Sequence, residues 1–182
     1  ASSSCLLMGD PHCQTFDGTW LSYQGACVYV LARDMCINGN PDGDPNFLVI
    51  TDLYRMVPEH VSVTWLYETF VLFPTHVINV TITRDRRVFI NGVEEYFFPQ
   101  YPGGDIWVDK TPRYVKVRCQ SVGVLVKSTG SSLEVVIDYS KRRQMCGICG
   151  DSDDTPDNDL VSGPNDTCSG SYDTWPTPGS LA

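Results

Sequence analysis

Five aspartates and an asparagine fall within nine residues at Asp151-Ser-Asp153-Asp154-Thr155-Pro156-Asp157-Asn158-Asp159, directly after Cys146-Gly-Ile-Cys149-Gly150. So many carboxylates repel one another in any packed interior, so this run cannot form a core. Two readings stand: a solvated acidic loop, or an oxygen cage around a hard cation such as calcium, which takes six to eight oxygens at about 2.3–2.6 Å. An EF-hand is excluded. Its loop needs Gly at position six and Glu at position twelve, and counting from Asp151 those places hold Pro156 and Ser162. The Cys-x-x-Cys beside the run suits a redox pair or half a zinc site only in other surroundings. A zinc site needs a second pair at suitable spacing, and redox chemistry needs a helix start in a βαβ setting; the chain offers neither. Cys146 and Cys149 therefore read as structural half-cystines that diverge to separate partners.

A second reactive stretch is Gly9-Asp10-Pro11-His12. The proline nitrogen carries no N–H, and its amide leaves more readily when protonated or twisted. The Asp10 carboxyl can attack its own carbonyl, expel that nitrogen and leave a cyclic anhydride, with His12 supplying the proton as a general acid. The plainer alternative is a turn leading into the first strand. His60 and His76 sit singly in strand-like segments and read as packed or surface imidazoles rather than ligands. Trp20, Trp65, Trp107 and Trp175 read as core and edge residues. No Ser-His-Asp ordering, phosphate-cradling glycine loop or tunable carboxylate pair appears, so turnover of a substrate is not expected.

These groups have to be held by a chain of 182 residues, long enough for one large domain with a real core. Strand patterns dominate, and no window of helical period extends over eleven or more residues. Two apolar runs, Thr19–Tyr23 and Ala26–Ala32, flank Gln24-Gly25 and predict a hairpin. Residues 1–12 read as an irregular lead-in, and 37–46 as a surface loop. Further strands are expected at Phe47–Tyr54, His60–Phe73 and His76–Thr83. Arg87–Ile90 and Val93–Phe98 follow, joined by Asn91-Gly92, the strongest two-residue hairpin signal in the chain. Ile106–Val108, Tyr114–Cys119, Val122–Lys127 and Leu133–Tyr139 complete the set. About ten short strands with such turns predict an all-β fold, an antiparallel β-sandwich or flattened barrel, of which the sandwich is the one expected. A single domain is expected over 1–176, with 177–182 as a disordered tail.

The balance is acidic, 22 Asp+Glu against 13 Lys+Arg for a net charge of −9, which disfavours nucleic acid and anionic membrane as partners. No apolar run approaches the roughly 18 residues of a membrane span. Eight cysteines with two Asn-x-Thr acceptors, at Asn79 and Asn165, point to a secreted, oxidised glycoprotein. With no signal-peptide pattern present, the chain reads as a segment of a longer secreted protein.

The motifs resemble the von Willebrand factor type D domain. The resemblance rests on Cys5, Gly9-Asp-Pro-His12, Thr15-Phe-Asp-Gly18 and Tyr23-Gln-Gly-Ala-Cys27-Val-Tyr-Val-Leu31 with Cys36. At the other end it rests on Cys146-Gly-Ile-Cys149-Gly150, Asn158-Asp159-Leu160, Cys168 and Trp175. It implies a calcium site built from Asp17, Asp151, Asp153, Asn158 and Asp159 with the carbonyl of Thr155, leaving Asp154 and Asp157 to solvent or water ligands. It implies the disulfides Cys5–Cys149, Cys36–Cys146 and Cys27–Cys168, leaving Cys13 for Cys119. Each would close a loop of roughly a hundred residues or more, for which chain entropy gives about 4–5 kcal/mol. In relatives with Gly-Asp-Pro-His the Asp–Pro bond cleaves itself, so Asp10, Pro11 and His12 are the candidates here. The function implied is a secreted calcium-binding structural or adhesion module of matrix, mucus or cell surface. Its partners would be other extracellular proteins or other modules of its parent chain. Two other classes stay open: a lipid-carrying module, as in yolk lipoproteins, and a signalling module, as in repulsive guidance molecules.

Overall fold

A computed structural model describes residues 1–9, 12–22, 27–54 and 65–159. The first strands are β1 (Ser2–Met8), β2 (His12–Gln14), β3 (Trp20–Ser22) and β4 (Val28–Arg33). A short ladder of β5 (Cys36–Ile37) and β6 (Asn40–Pro41) follows, then β7 (Leu48–Tyr54), β8 (Trp65–Phe73) and β9 (Ile78–Thr83). The rest are β10 (Val88–Ile90), β11 (Val93–Glu95), β12 (Gln100–Gly103), β13 (Ile106–Lys110), β14 (Val115–Cys119), β15 (Val124–Ser128) and β16 (Leu133–Asp138). Only single 3-10 turns interrupt them among the described residues.

The strands form two large antiparallel sheets. One has eight strands in the order β12-β13-β14-β15-β16-β1-β2-β3, the other six in the order β11-β10-β9-β8-β7-β4. Side chains alternate across a strand, so each sheet presents one apolar face. β14, β15 and β16 point Val115, Val117, Val124, Val126, Val135 and Ile137 inward, and the other sheet answers with Leu31, Val49, Val71, Phe73, Val80 and Ile82 in one buried cluster. Each such aliphatic side chain, removed from water, contributes about 1.5–3 kcal/mol. The fold is therefore the expected all-β sandwich, finer-stranded than the sequence suggests.

Two local expectations are overturned. Residues 2–8, read as a lead-in, form a central strand paired with β16 over six register positions. Their serines hide the period, but Cys5 and Leu7 alternate into the core. The runs either side of Gln24-Gly25 are not a hairpin: β3 pairs with β2 in one sheet, whereas β4 pairs with β7 in the other. Trp20 is exposed on the edge strand β3, and Trp65 is exposed at the start of β8.

The cysteines fix the ends. Cys5 bonds Cys149 with Cα atoms 5.7 Å apart, and Cys36 bonds Cys146 at 6.0 Å. Cys27 is disulfide-bonded; Cys168, the partner expected for it, lies outside the described residues, as do Asn165 and Trp175. The expected Cys13–Cys119 bond does not form, and both thiols are free and buried. Register explains why. Cys13 pairs with Leu7, Leu7 with Leu133, Leu133 with Ser128 and Ser128 with Val115. Four strand spacings of about 4.8 Å thus separate β2 from β14, far beyond the roughly 7 Å that a disulfide can bridge. Cys119 lies a further four residues along β14.

Candidate metal centre

The turn carrying Asp17 grows directly out of β2. The Thr15 N–H donates to the Thr19 carbonyl at 2.9 Å, and the Gly18 N–H donates back to the Thr15 carbonyl at 3.0 Å. Asp17 is thereby held at the tip of a closed loop. The buried Phe16 anchors it, and its N–H donates to the Cys149 carbonyl at 2.9 Å. The Cys-x-x-Cys segment itself docks on the free edge of β4 through one isolated antiparallel bridge, Arg33 to Cys146, and a turn that follows it. Arg33 and Cys146 exchange backbone hydrogen bonds at 3.0 and 3.1 Å, and the Ile148 and Cys149 amides donate to Val30 and Leu31. Gly147 permits this approach: with φ at +110°, a Cβ there would lie 2.7 Å from the Leu31 carbonyl oxygen.

A polar anchor that sequence reading missed secures the same segment from the other side. Asp34, fully buried, accepts the Asn46 N–H and side-chain amide, both at 2.7 Å, and the Lys141 ammonium at 2.8 Å. Nothing local in the sequence marks Asp34, because its partner Lys141 lies 107 residues away.

From these supports the acidic loop folds back over Asp17. The Asp17 carboxylate accepts the backbone N–H groups of Asp153 at 3.1 Å and Asp154 at 2.8 Å. Carboxylate oxygens of Asp17, Asp151 and Asp153 lie within 4.8 Å of one another. Asp151 Oδ1 is buried without a hydrogen-bond partner. Asp159, 6% exposed, closes the group, accepting the buried Thr15 hydroxyl. Its other oxygen rests against Gly150, where a Cβ would come within 2.2 Å and where φ is +84°. Glycine after the second cysteine is thus required twice, for space and for backbone.

Asp153 accepts the Thr155 N–H at 2.7 Å and the Asn158 side-chain amide at 2.9 Å. The Thr155 carbonyl accepts the Asn158 N–H at 3.4 Å. All six residues implied by the resemblance therefore fall in one loop cluster, with Asp17, Asp151 and Asp153 nearest one another. Asp154 is exposed and pairs with Arg142, which also donates to the Asp153 carbonyl at 3.1 Å. The Arg143 N–H donates to the carbonyls of Asp151 and Ser152, both at 3.1 Å. These arginines brace the loop from outside, a role their own positions in the sequence do not signal.

The electrostatics follow from crowding. Burial pushes the Asp151 carboxyl up to about 6, and the neighbouring charges of Asp153, Asp17 and Asp159 push the same way. Burial likewise raises Asp159, with Asp17 and Asp153 adding to it and the Thr15 hydroxyl opposing. Asp153 is held below the usual range because, against its desolvation, the Asn158 amide and the Thr155 N–H stabilise its charge. At an effective dielectric constant near 20, each carboxylate pair at about 4.8 Å costs about 3.5 kcal/mol. The donor set is oxygen alone, one oxygen is buried with no partner, and three carboxylates crowd together, with Arg143 the cation that acts on Asp153: the arrangement fits a hard divalent cation.

The Asp10–Pro11 bond lies outside the described residues. Its flanks do not: Met8 pairs with His12 across β1 and β2, so only residues 9–11 connect them, and His12 is exposed. Asn79 is exposed on β9.

Comparison with known proteins identifies relatives of the chain. Human zonadhesin is 31% identical over 159 residues, covering 87% of this chain and 5% of that protein. The human IgGFc-binding protein is 30% identical over 183 residues, 95% of this chain and 3% of its own. Human mucin-2 is 29% identical over 191 residues, 94% of this chain and 3% of its own. The chain thus spans only a small part of the length of these relatives. The profile of the von Willebrand factor type D domain matches residues 5–165, and that span includes both halves of the carboxylate cluster. The chain belongs to the von Willebrand factor type D domain family.

Proposed function

We propose that this chain is a calcium-stapled structural module of an extracellular adhesion or mucus glycoprotein. The observation that carries the reading is the convergence of Asp17 on Asp151 and Asp153, with Asp151 Oδ1 buried and unpartnered. Calcium would be held by Asp17, Asp151, Asp153, Asn158 and Asp159 with the Thr155 carbonyl, and it supplies positive charge to this group. The chain's own residues do the rest. Thr15 fixes Asp159, the Asp153 and Asp154 amides fix Asp17, and Cys5–Cys149 and Cys36–Cys146 fix the loop to β1 and to the Cys36 segment after β4. The effect is to close one end of the sandwich. EDTA should lower the melting temperature, and Asp17→Ala should remove that calcium dependence; a melting curve indifferent to both refutes the site.

The relatives support the extracellular part of the reading, since mucins and zonadhesin are among them. One cleft among the described residues suits a structural role better than lipid carriage. This cleft, of about 560 Å³, is lined by Glu68, Arg84, Asp85 and Arg87 beside Tyr67 and Phe89, which favours polar partners over acyl chains. Other extracellular proteins, or other modules of its parent chain, are the partners proposed, and Asn79 is proposed as a glycan acceptor.

Self-cleavage at Asp10–Pro11 is part of the same proposal, as a single-turnover event and not enzymatic turnover. Its consequence follows from the fold: residues 1–10 would stay in place through the β1–β16 ladder and Cys5–Cys149. Mass spectrometry of reduced protein after incubation at mildly acid pH should find a fragment beginning at Pro11; intact chain alone sinks this part.

A further inference from the structure

Cys119, His76 and Asp105 form a second cluster, well away from the acidic loop. Their ligating atoms all lie within 4.8 Å of one another. Each comes from a different element: His76 from the 3-10 turn between β8 and β9, Asp105 from the β12–β13 turn and Cys119 from the end of β14. The first belongs to the six-stranded sheet and the other two to the eight-stranded one. We propose that these three residues bind a borderline-soft divalent cation of the zinc class, tying the two sheets together.

Four observations carry this. The Cys119 thiol is free and buried, and it donates to Asp105 Oδ1 at 3.3 Å. In a tetrahedral zinc site, with Zn–S of about 2.3 Å and Zn–O of about 2.0 Å, sulfur and oxygen stand about 3.5 Å apart. The pair already has that spacing, with a proton where the metal would sit. Second, His76 Nδ1 is buried and lacks any hydrogen-bond partner, an expensive state for a nitrogen on the ring that joins this cluster. Third, Asp105 is pre-oriented as metal carboxylates usually are: the Ser121 hydroxyl donates to Oδ1 at 2.8 Å and its N–H to Oδ2 at 2.5 Å. Fourth, the imidazole has a built seat. It stands edge-on to Phe73 with ring centres 6.4 Å apart, and it lies so close to Gly104 that a Cβ there would fall 2.9 Å from its Cδ2. Asp105 is exposed, which gives a cation a way in and leaves a fourth position for water.

The donor set also separates this site from the calcium cluster. Thiolate and imidazole select zinc-class metals, whereas the acidic loop offers oxygen alone. Loss of the thiol proton on binding makes the site pH-sensitive in the ordinary way for thiolate ligands.

The test is cobalt(II) titration of the full, disulfide-intact chain with calcium saturating, followed by optical absorption. Cobalt in the acidic loop gives no thiolate band, so among the described residues a sulfur-to-cobalt charge-transfer band reports Cys119 or Cys13. The expected result is one equivalent bound with that band, displaced by zinc. The band should be lost in Cys119→Ser, kept in Cys13→Ser and Asp17→Ala, and weakened about tenfold in affinity by Ser121→Ala. Should Cys119→Ser misfold, His76→Gln supplies the decisive variant, since it keeps the thiol and removes the nitrogen. No band in the wild-type chain overturns the proposal, as does a band that survives Cys119→Ser or His76→Gln.

Discussion

Replacing Asp17 by asparagine should reverse sign with calcium. The change keeps the shape of the side chain and removes one charge. Without calcium, Asp17 accepts two backbone N–H groups, and such charge-assisted bonds are worth about 1.5–3 kcal/mol each when sheltered. Against them stands repulsion from Asp151 and Asp153, at about 3.5 kcal/mol per pair for an effective dielectric constant near 20. These opposing effects are of similar size, so Asp17→Asn should leave the calcium-free protein as stable as the wild type or more so. With calcium at a hundred times its Kd, the wild type gains about 2.7 kcal/mol. For a chain of this size that is about 5–11 °C in Tm, and Asp17→Asn should lose most of it. Differential scanning calorimetry with EDTA and with calcium reads both arms. An asparagine variant that shows the full wild-type calcium shift refutes the assignment of Asp17. One destabilised equally in both conditions shows that Asp17 acts through its hydrogen bonds alone.

Three further outcomes follow from the same geometry. The raised Asp151 carboxyl destabilises the calcium-free fold as pH rises from its unfolded value near 4 through its folded value of about 6. Protons compete with calcium over that same window, so the calcium-induced Tm shift should shrink as pH falls through about 6; a shift unchanged at about pH 5 contradicts this. Gly150→Ala should cost at least about 1–3 kcal/mol from its positive φ alone, and it should weaken calcium binding by pushing on Asp159; calcium titration of the variant checks it. Asp34→Ala strands the Lys141 ammonium beneath the loop and should cost about 3–5 kcal/mol, read as a lower urea midpoint with an unchanged slope.

Local chemistry was legible in the sequence where it is written in neighbouring residues. Asn91-Gly92 marks a two-residue turn, and both residues adopt the positive φ that such a turn demands, 49° and 81°. The acidic run could be told from core by charge alone, although its partner Asp17 came from a resemblance and not from spacing. What stayed hidden is set by long-range pairing. Ser2–Ser4 carry no apolar period, yet they pair with β16 because the next residues, Cys5 and Leu7, bury against the other sheet. Gln24-Gly25 has good turn chemistry, but the strands on either side belong to different sheets, a fact no local signal contains. Counting cysteines paired Cys13 with Cys119, and register places them four strands apart. Asp34 with Lys141 and Thr15 with Asp159 are likewise pairs separated by more than a hundred residues, 107 and 144 respectively.

The central claim is that Asp17 and the loop after Cys149 make one calcium site. Isothermal titration of the calcium-free, disulfide-intact chain tests it most directly. One calcium ion should bind per chain in the wild type and none in the Asp17→Ala, Asp151→Ala double variant. A wild-type chain that takes up no calcium, or a double variant that binds it equally well, contradicts the claim.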